Sequence, residues 1–185
     1  MRFFSTFLLI LVFAVCAFGQ QSLREGNQAP EFSATAMNGQ TYDLKQLQAE
    51  GKVVVVTFWS TKCPICHSEI PKMNQLAARY KGRNVVFLAL TMENEAKVDT
   101  YLKSTPFSFT ILPNSFGQVL QYADRDKSGN INIGFPAYFL VDQNGSIQMK
   151  ASGWDKVEVL DAKIAGLLGT ASTVKAVAEM TSSPK

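Results

Sequence analysis

The chain has 185 residues, 46% of them hydrophobic and 18% charged, with a net charge of +3. That length and apolar content suit one domain with a sizeable core and exclude a disordered, collagen-like or coiled-coil chain. Eighteen Lys+Arg against fifteen Asp+Glu leave no nucleic-acid footprint, one histidine excludes a multi-histidine metal site, and three cysteines are too few for a disulfide-stapled mini-fold.

Met1 and Arg2 precede an apolar run over residues 3–18, with small residues at Ala17 and Gly19. This is the pattern of a secretory signal peptide over residues 1–19, cleaved after Gly19; an uncleaved membrane anchor is the alternative. Cys16 does not suit a lipoprotein, because bulky Val15 stands where a small residue belongs. Export places the chain in an oxidising compartment, periplasmic or otherwise extracytoplasmic. It also removes Cys16, so the mature cysteines are Cys63 and Cys66. Residues 20–28 form a polar lead-in, residues 29–169 the folded domain, and residues 170–185 a loose polar tail.

Within the domain, residues 32–36 and 40–44 flank Asn38-Gly39, which predicts a hairpin. Residues 52–59 are an unbroken β-branched and aromatic run, as for a central strand buried on both faces. From Pro64 to Tyr80 the apolar positions Ile65, Ile70, Met73, Leu76, Ala77 and Tyr80 recur at helical spacing, with Pro71 as a kink. A second buried strand follows over residues 84–91, then an amphipathic helix over 94–104. A weaker extended piece spans 108–111, and a short helix 115–122. Residues 137–141 and 146–150 form a hairpin around Asn144-Gly145, and a last helix runs over about residues 155–168. Strands alternating with helices and closing on a hairpin predict an α/β fold, a mixed central sheet with helices on both faces and an N-terminal β-hairpin extension.

Cys63-Pro64-Ile65-Cys66 sits where the long strand ends and a helix begins. A thiolate there faces unpaired N–H groups and the positive end of the helix dipole, which lowers a thiol's pKa, and Lys62 adds a positive charge. A structural staple at this spacing would close a tiny loop and remove little chain entropy, so the pair reads as redox-active.

The segment Phe58-Trp59-Ser60-Thr61-Lys62-Cys63-Pro64-Ile65-Cys66-His67-Ser68-Glu69-Ile70-Pro71 resembles the active-site segment of the thioredoxin superfamily. It is closest to the TlpA/ResA-like extracytoplasmic thiol–disulfide oxidoreductases, with their redoxin (AhpC/TSA-like) domain. Gly134-Phe135-Pro136-Ala137-Tyr138-Phe139-Leu140-Val141-Asp142 resembles the second signature, whose proline is cis and packs against the disulfide. Ala29-Pro30-Glu31-Phe32 and the following hairpin are similar to the start of the TlpA and peroxiredoxin branches. The resemblance covers roughly residues 26–168 and implies a thioredoxin-like fold and an exported protein disulfide reductase. It implies Cys63 as nucleophile, Cys66 as resolving thiol, Glu69 as manager of the Cys66 proton, and Pro136 beside them. It also implies substrate contacts from Trp59, Lys62 and Phe135. Its partners would be a disulfide-containing protein and a membrane thiol electron donor, with no cofactor, metal or nucleic acid. Thr57 stands where thioredoxin itself carries a buried Asp, and Lys62 where a Trp usually precedes the first Cys.

The same residues admit rivals. A thiol peroxidase would need a Cys poised by Thr and Arg, and neither Ser60 nor Lys62 supplies that set. A redox-inert binding module would keep the cysteines paired. Cys63-Pro64-Ile65-Cys66-His67 also satisfies the c-type haem attachment pattern, with His67 as axial ligand. The loop Asp124-Arg125-Asp126-Lys127-Ser128-Gly129-Asn130 opens like an EF-hand calcium loop, but Phe135 occupies the place of the bidentate Glu.

Overall fold

The structure is a computed structural model that describes residues 22–181; the expected signal segment, Cys16 included, lies outside them. The first hairpin pairs β1 (Ser33–Thr35) with β2 (Thr41–Asp43), its turn passing through Gly39 at φ +79°. A helix that the sequence pattern does not announce follows at once. α1 (Leu44–Ala49) is capped by Asp43, whose carboxylate accepts the Gln46 N–H at 2.9 Å, and it buries Leu44 and Leu47 one turn apart.

The expected central strand is β3 (Val53–Phe58), with every residue buried. It leads into α2 (Pro64–Arg79), with Pro64 in the first turn and Pro71 inside. Then come β4 (Val85–Leu90), α3 (Glu95–Leu102) capped by Asn94, β5 (Thr110–Leu112) and α4 (Phe116–Tyr122). The loop before Pro136 is a small hairpin of its own, β6 (Asp124–Arg125) against β7 (Ile131–Asn132). β8 (Ala137–Val141) and β9 (Ile147–Ser152) form the closing hairpin. α5 (Val157–Thr181) runs past residue 168, so the expected loose tail is helical backbone as far as Thr181. Residues 170–181 contain neither proline nor glycine, and Ala171, Lys175, Ala176, Ala178, Glu179 and Met180 favour helix over loop.

The main sheet has the order β5-β4-β3-β8-β9, with β3, β4 and β5 parallel and β8 and β9 antiparallel to their neighbours. Period-two alternation along β3 sends Val53 and Val55 to one face and Val54, Val56 and Phe58 to the other. The first face packs under Ile70, Met73 and Leu76 of α2 and under Leu160 and Ile164 of α5. The second face packs under Leu44 and Leu47 of α1 and under Val119 and Tyr122 of α4. Both faces are therefore dry, which is why β3 carries no polar residue except Thr57.

The β8–β9 turn is held by Asp142, which is buried and accepts the amides of Asn144 and Ser146 at 2.9 Å and the Gln148 side-chain amide at 2.6 Å. Asp142→Ala leaves those donors without their acceptor. It should lower unfolding stability by about 1–3 kcal/mol in urea denaturation, while the cysteines react at unchanged rates.

Candidate active site

The three central strands end at one edge, and the site is built there. Phe58, the last residue of β3, lies opposite Leu90 on one side and Ala137 on the other. The Trp59 N–H still donates to the Leu90 carbonyl at 3.0 Å, and the chain then turns out of the sheet through Ser60 and Thr61. Cys63 caps α2: its Sγ accepts the Cys66 N–H at 3.1 Å. Cys63 and Cys66 are joined as a disulfide, with Cα atoms 5.2 Å apart. Cys63 is half-buried, whereas Cys66 is completely buried one turn inside the helix. In the reduced protein the same N–H and helix end favour negative charge on Cys63.

Pro136 follows a cis peptide bond from Phe135 and immediately precedes Ala137, the partner of Phe58. The strand pairing therefore brings the second signature to the loop that carries the cysteines. Pro136 is buried and Phe135 half-buried, and Phe135 and Cys63 pack against the same core cluster. The Pro136 carbonyl accepts the Gly153 N–H at 2.8 Å, which ties it to the loop after β9.

Glu69 faces inward. Its side chain is 1% exposed, and neither carboxylate oxygen has a hydrogen-bond partner; Lys72 Nζ lies 3.5 Å from Oε1 as the countercharge. It is not the solvated helix carboxylate that its residue type alone would suggest. Thr57 and Tyr138 lie opposite each other on β3 and β8, and each holds a buried hydroxyl without a partner. Burial, with the Glu69 charge adding to it, pushes the Tyr138 phenol up.

Lys62 is exposed beside Cys63. Trp59 differs from the expectation. It is completely buried, packed on Tyr101 and Phe107 at ring separations of 5.5 and 5.4 Å. The main-chain bond to Leu90 keeps Trp59 in register with the sheet for one residue more, so its ring supports the loop from within.

His67 Nε2 bonds the Thr61 carbonyl at 2.9 Å, and the ring packs at a tilt against Tyr101, centroids 4.9 Å apart. With the sulfurs joined to each other, the residues of the haem attachment pattern are engaged in holding the loop. Asp126 is similarly engaged. Its carboxylate accepts the amides of Ser128 and Asn130 and the Asn130 side chain, which closes the turn over residues 126–130 on itself.

Glu93 is a site residue that no sequence motif announces. From the loop after β4 its carboxylate accepts the Thr61 N–H and Thr61 hydroxyl, each at 2.7 Å, and the Ser60 hydroxyl at 3.2 Å, while Lys97 Nζ pairs with it at 2.9 Å. Burial alone would raise this carboxyl, but those hydrogen bonds and Lys97 hold it down at about 2. The signal that could have found it is an acid just past the end of a buried parallel strand, beside the loop of the neighbouring strand.

The Redoxin family model matches residues 24–165. The thiol-disulfide oxidoreductase ResA of a Bacillus cereus strain is 30% identical over 144 residues, covering 77% of this chain and 78% of its own. A putative thiol:disulfide interchange protein DsbE from Chlorobium tepidum superposes with TM-score 0.63 at 26% identity, over 80% of this chain and 99% of that one. A thioredoxin family protein from Chlorobium tepidum TLS superposes with TM-score 0.65 at 24% identity, over the same shares of the two chains. The fold is thioredoxin-like.

Two measurements check this geometry. In the reduced protein Cys63 should alkylate far faster than Cys66, because Cys66 is sealed in the core. Glu93→Gln should cost about 1–3 kcal/mol at neutral pH, since it removes a charged acceptor from several donors. The folded carboxyl titrates below its ordinary 4.5, at about 2, so its contribution is complete above pH 4.5 and is lost as pH falls towards 2. Urea titrations across that window should show a shallower acid loss in Glu93→Gln than in the parent.

Proposed function

The chain belongs to the Redoxin family and is a thiol–disulfide oxidoreductase, and we propose that it acts as an exported protein disulfide reductase through Cys63 and Cys66. The observation that carries this reading is the division of exposure at one helix end, with a half-buried Cys63 capping α2 and a sealed Cys66 behind it.

In the reduced enzyme the Cys63 thiolate attacks one sulfur of a substrate disulfide. That S–S bond breaks, one substrate thiolate leaves, and a mixed disulfide forms on Cys63. Cys66 then gives its proton to Glu69 and attacks Cys63 Sγ. The second substrate thiol leaves, and the enzyme is left with the Cys63–Cys66 disulfide. Two electrons have passed to the substrate. A thiol electron donor held at the membrane returns them and restores both thiols. The substrate is a disulfide-containing protein whose extended segment lies along Phe135 and Pro136, beside Lys62. No step uses a cofactor or a metal.

The signal segment over residues 1–19 supports export, and an uncleaved segment would also anchor the protein to the membrane. A peroxidase is less well supported, since Ser60 and Thr61 spend their hydroxyls on Glu93 instead of flanking Cys63 with an arginine.

Cys63→Ser should abolish disulfide exchange, whereas Cys66→Ser should accumulate mixed disulfides on Cys63, read by mass spectrometry of the trapped protein. Glu69→Gln keeps the shape and removes the proton acceptor. It should slow resolution of the mixed disulfide by about 10²-fold or more without loss of fold. A reduction potential nearer about −270 mV than −120 mV would agree with the reductase direction, and the opposite result would reverse it.

A further inference from the structure

We propose that Lys72 is the positioning residue of Glu69: it supplies the countercharge that makes the buried carboxylate usable as a base, and Asp155 holds Lys72 in that place. The inference rests on the reading of Glu69 as the acceptor of the Cys66 proton.

A carboxylate sealed in a core without hydrogen bonds is costly unless a countercharge stands close to it. Glu69 meets both conditions for that cost, at 1% exposure and with no hydrogen bond to either oxygen. Lys72 sits one turn further along the same face of α2, with Nζ 3.5 Å from Glu69 Oε1. Its side chain is 44% exposed, so it spans from the core to solvent. A single long side chain thus connects the proposed base, three residues past Cys66 on α2, to the outside.

The other end of the contact is equally defined. Lys72 Nζ donates to Asp155 Oδ1 at 2.6 Å. Asp155 lies two residues beyond Gly153, whose N–H holds the Pro136 carbonyl, and its backbone adopts φ +56°. The loop that fixes Pro136 therefore also fixes the lysine that faces Glu69. The hydrogen bond to Asp155, acting against a smaller effect of burial, and the charge of Glu69 hold Lys72 above the ordinary lysine range. It therefore remains a cation wherever Glu69 is needed as a base.

The other ionisable groups around Glu69 come from each element packed on it. Cys66 lies on its own helix and Tyr138 on β8, and the phenol stays neutral because burial raises it. Arg79 from α2 and Glu158 and Asp161 from α5 share a surface cleft with Lys72, with Arg79 and Asp161 paired to each other. Lys72 is left facing Glu69 and Asp155.

When Cys66 passes its proton to Glu69, the carboxyl becomes neutral and the attraction at 3.5 Å is lost. Lys72 then rests on Asp155 alone until the proton leaves. No bond other than the S–H and O–H bonds changes in that transfer, and Lys72 keeps its own protons.

The test uses the reduced full chain charged on Cys63 with thionitrobenzoate, the release of which reports attack by Cys66. Lys72→Met should slow release about tenfold at pH 7 and move its pH profile up by about one unit, one unit being one factor of ten. Lys72→Arg should restore both, and Asp155→Asn should fall between Lys72→Met and the parent. In a Glu69→Gln background, Lys72→Met should have no further effect. An unmoved pH profile in Lys72→Met, with Glu69→Gln slow, overturns the role of Lys72 and leaves that of Glu69 standing. Equal slowing by Lys72→Met in both backgrounds also overturns it, because the lysine would then act through the loop. A silent Glu69→Gln overturns the reading on which it rests. Lys72 is nearly half exposed, so these variants should fold, and a failure of Lys72→Arg to rescue counts against a role for charge.

Discussion

β3 is hydrogen-bonded on both sides and buried on both faces, and that double constraint determines where chemistry can occur in this chain. A strand so enclosed can present functional groups only where it ends. At Phe58 the pairing stops with β4 on one flank and β8 on the other, and the chain must turn outward within a few residues. The turn delivers Cys63 to the first position of a helix whose remaining turns are anchored by Ile70, Met73 and Leu76. The helix end is therefore fixed by the core behind it. The direction of its dipole, and the N–H that meets Cys63 Sγ, follow from packing that has nothing to do with sulfur.

Two carboxylates then do opposite things to the same short segment. Glu93 is saturated with donors from Ser60 and Thr61, and its charge is spent on holding the loop in shape. Glu69 has no such donors, and only Lys72 stands near it as a countercharge. The contrast lies in position. Glu93 lies past the C-terminal end of β4, beside the loop after β3 whose Thr61 N–H is free to donate; Glu69 lies on the inner face of a helix, where the neighbouring backbone N–H groups are already used within the helix. A base needs the second kind of place and a scaffold the first.

How much of this is legible in the sequence depends on whether the signal is local. The β3 run, the Cys63/Cys66 pair at a strand-to-helix boundary and the helix to Tyr80 follow from adjacent residues, and the structure places them within a residue or two. α1 escapes the pattern because Leu44 and Leu47 look like the end of a strand, although Asp43 before them is an adequate cap. α5 outruns its expected end because polar residues look like loop, where the alanines among them sustain helix. The run over residues 52–59 already reads as buried, Trp59 included, whereas the resemblance implies a substrate contact for that ring. Its packing partners Tyr101 and Phe107 lie more than forty residues on, and no local pattern can reveal them. Glu93 and Lys72 belong to the same class. Each is an ordinary charged residue in the sequence, and each acquires meaning only through its partners in the folded chain.

Several buried polar groups of the described residues break the rule that buried polar atoms are hydrogen-bonded, the Tyr101 hydroxyl beside Trp59 among them. Thr57 Oγ1, Trp59 Nε1, the Tyr138 hydroxyl and both oxygens of Glu69 are buried without hydrogen bonds, and all gather around the end of β3 and the first turns of α2. Each such group costs about 1–3 kcal/mol, a large sum against the stability of an ordinary domain. Apolar residues at these positions would remove that cost, so packing alone does not account for them. A polar, poorly satisfied pocket is what a buried cysteine requires if it must lose and regain a proton without direct access to water. The dry sheet on either side then has a second task. It excludes solvent from Cys66, and under the proposed reaction the proton of Cys66 then has to pass to a group inside the fold, the part assigned above to Glu69 with Lys72 facing it.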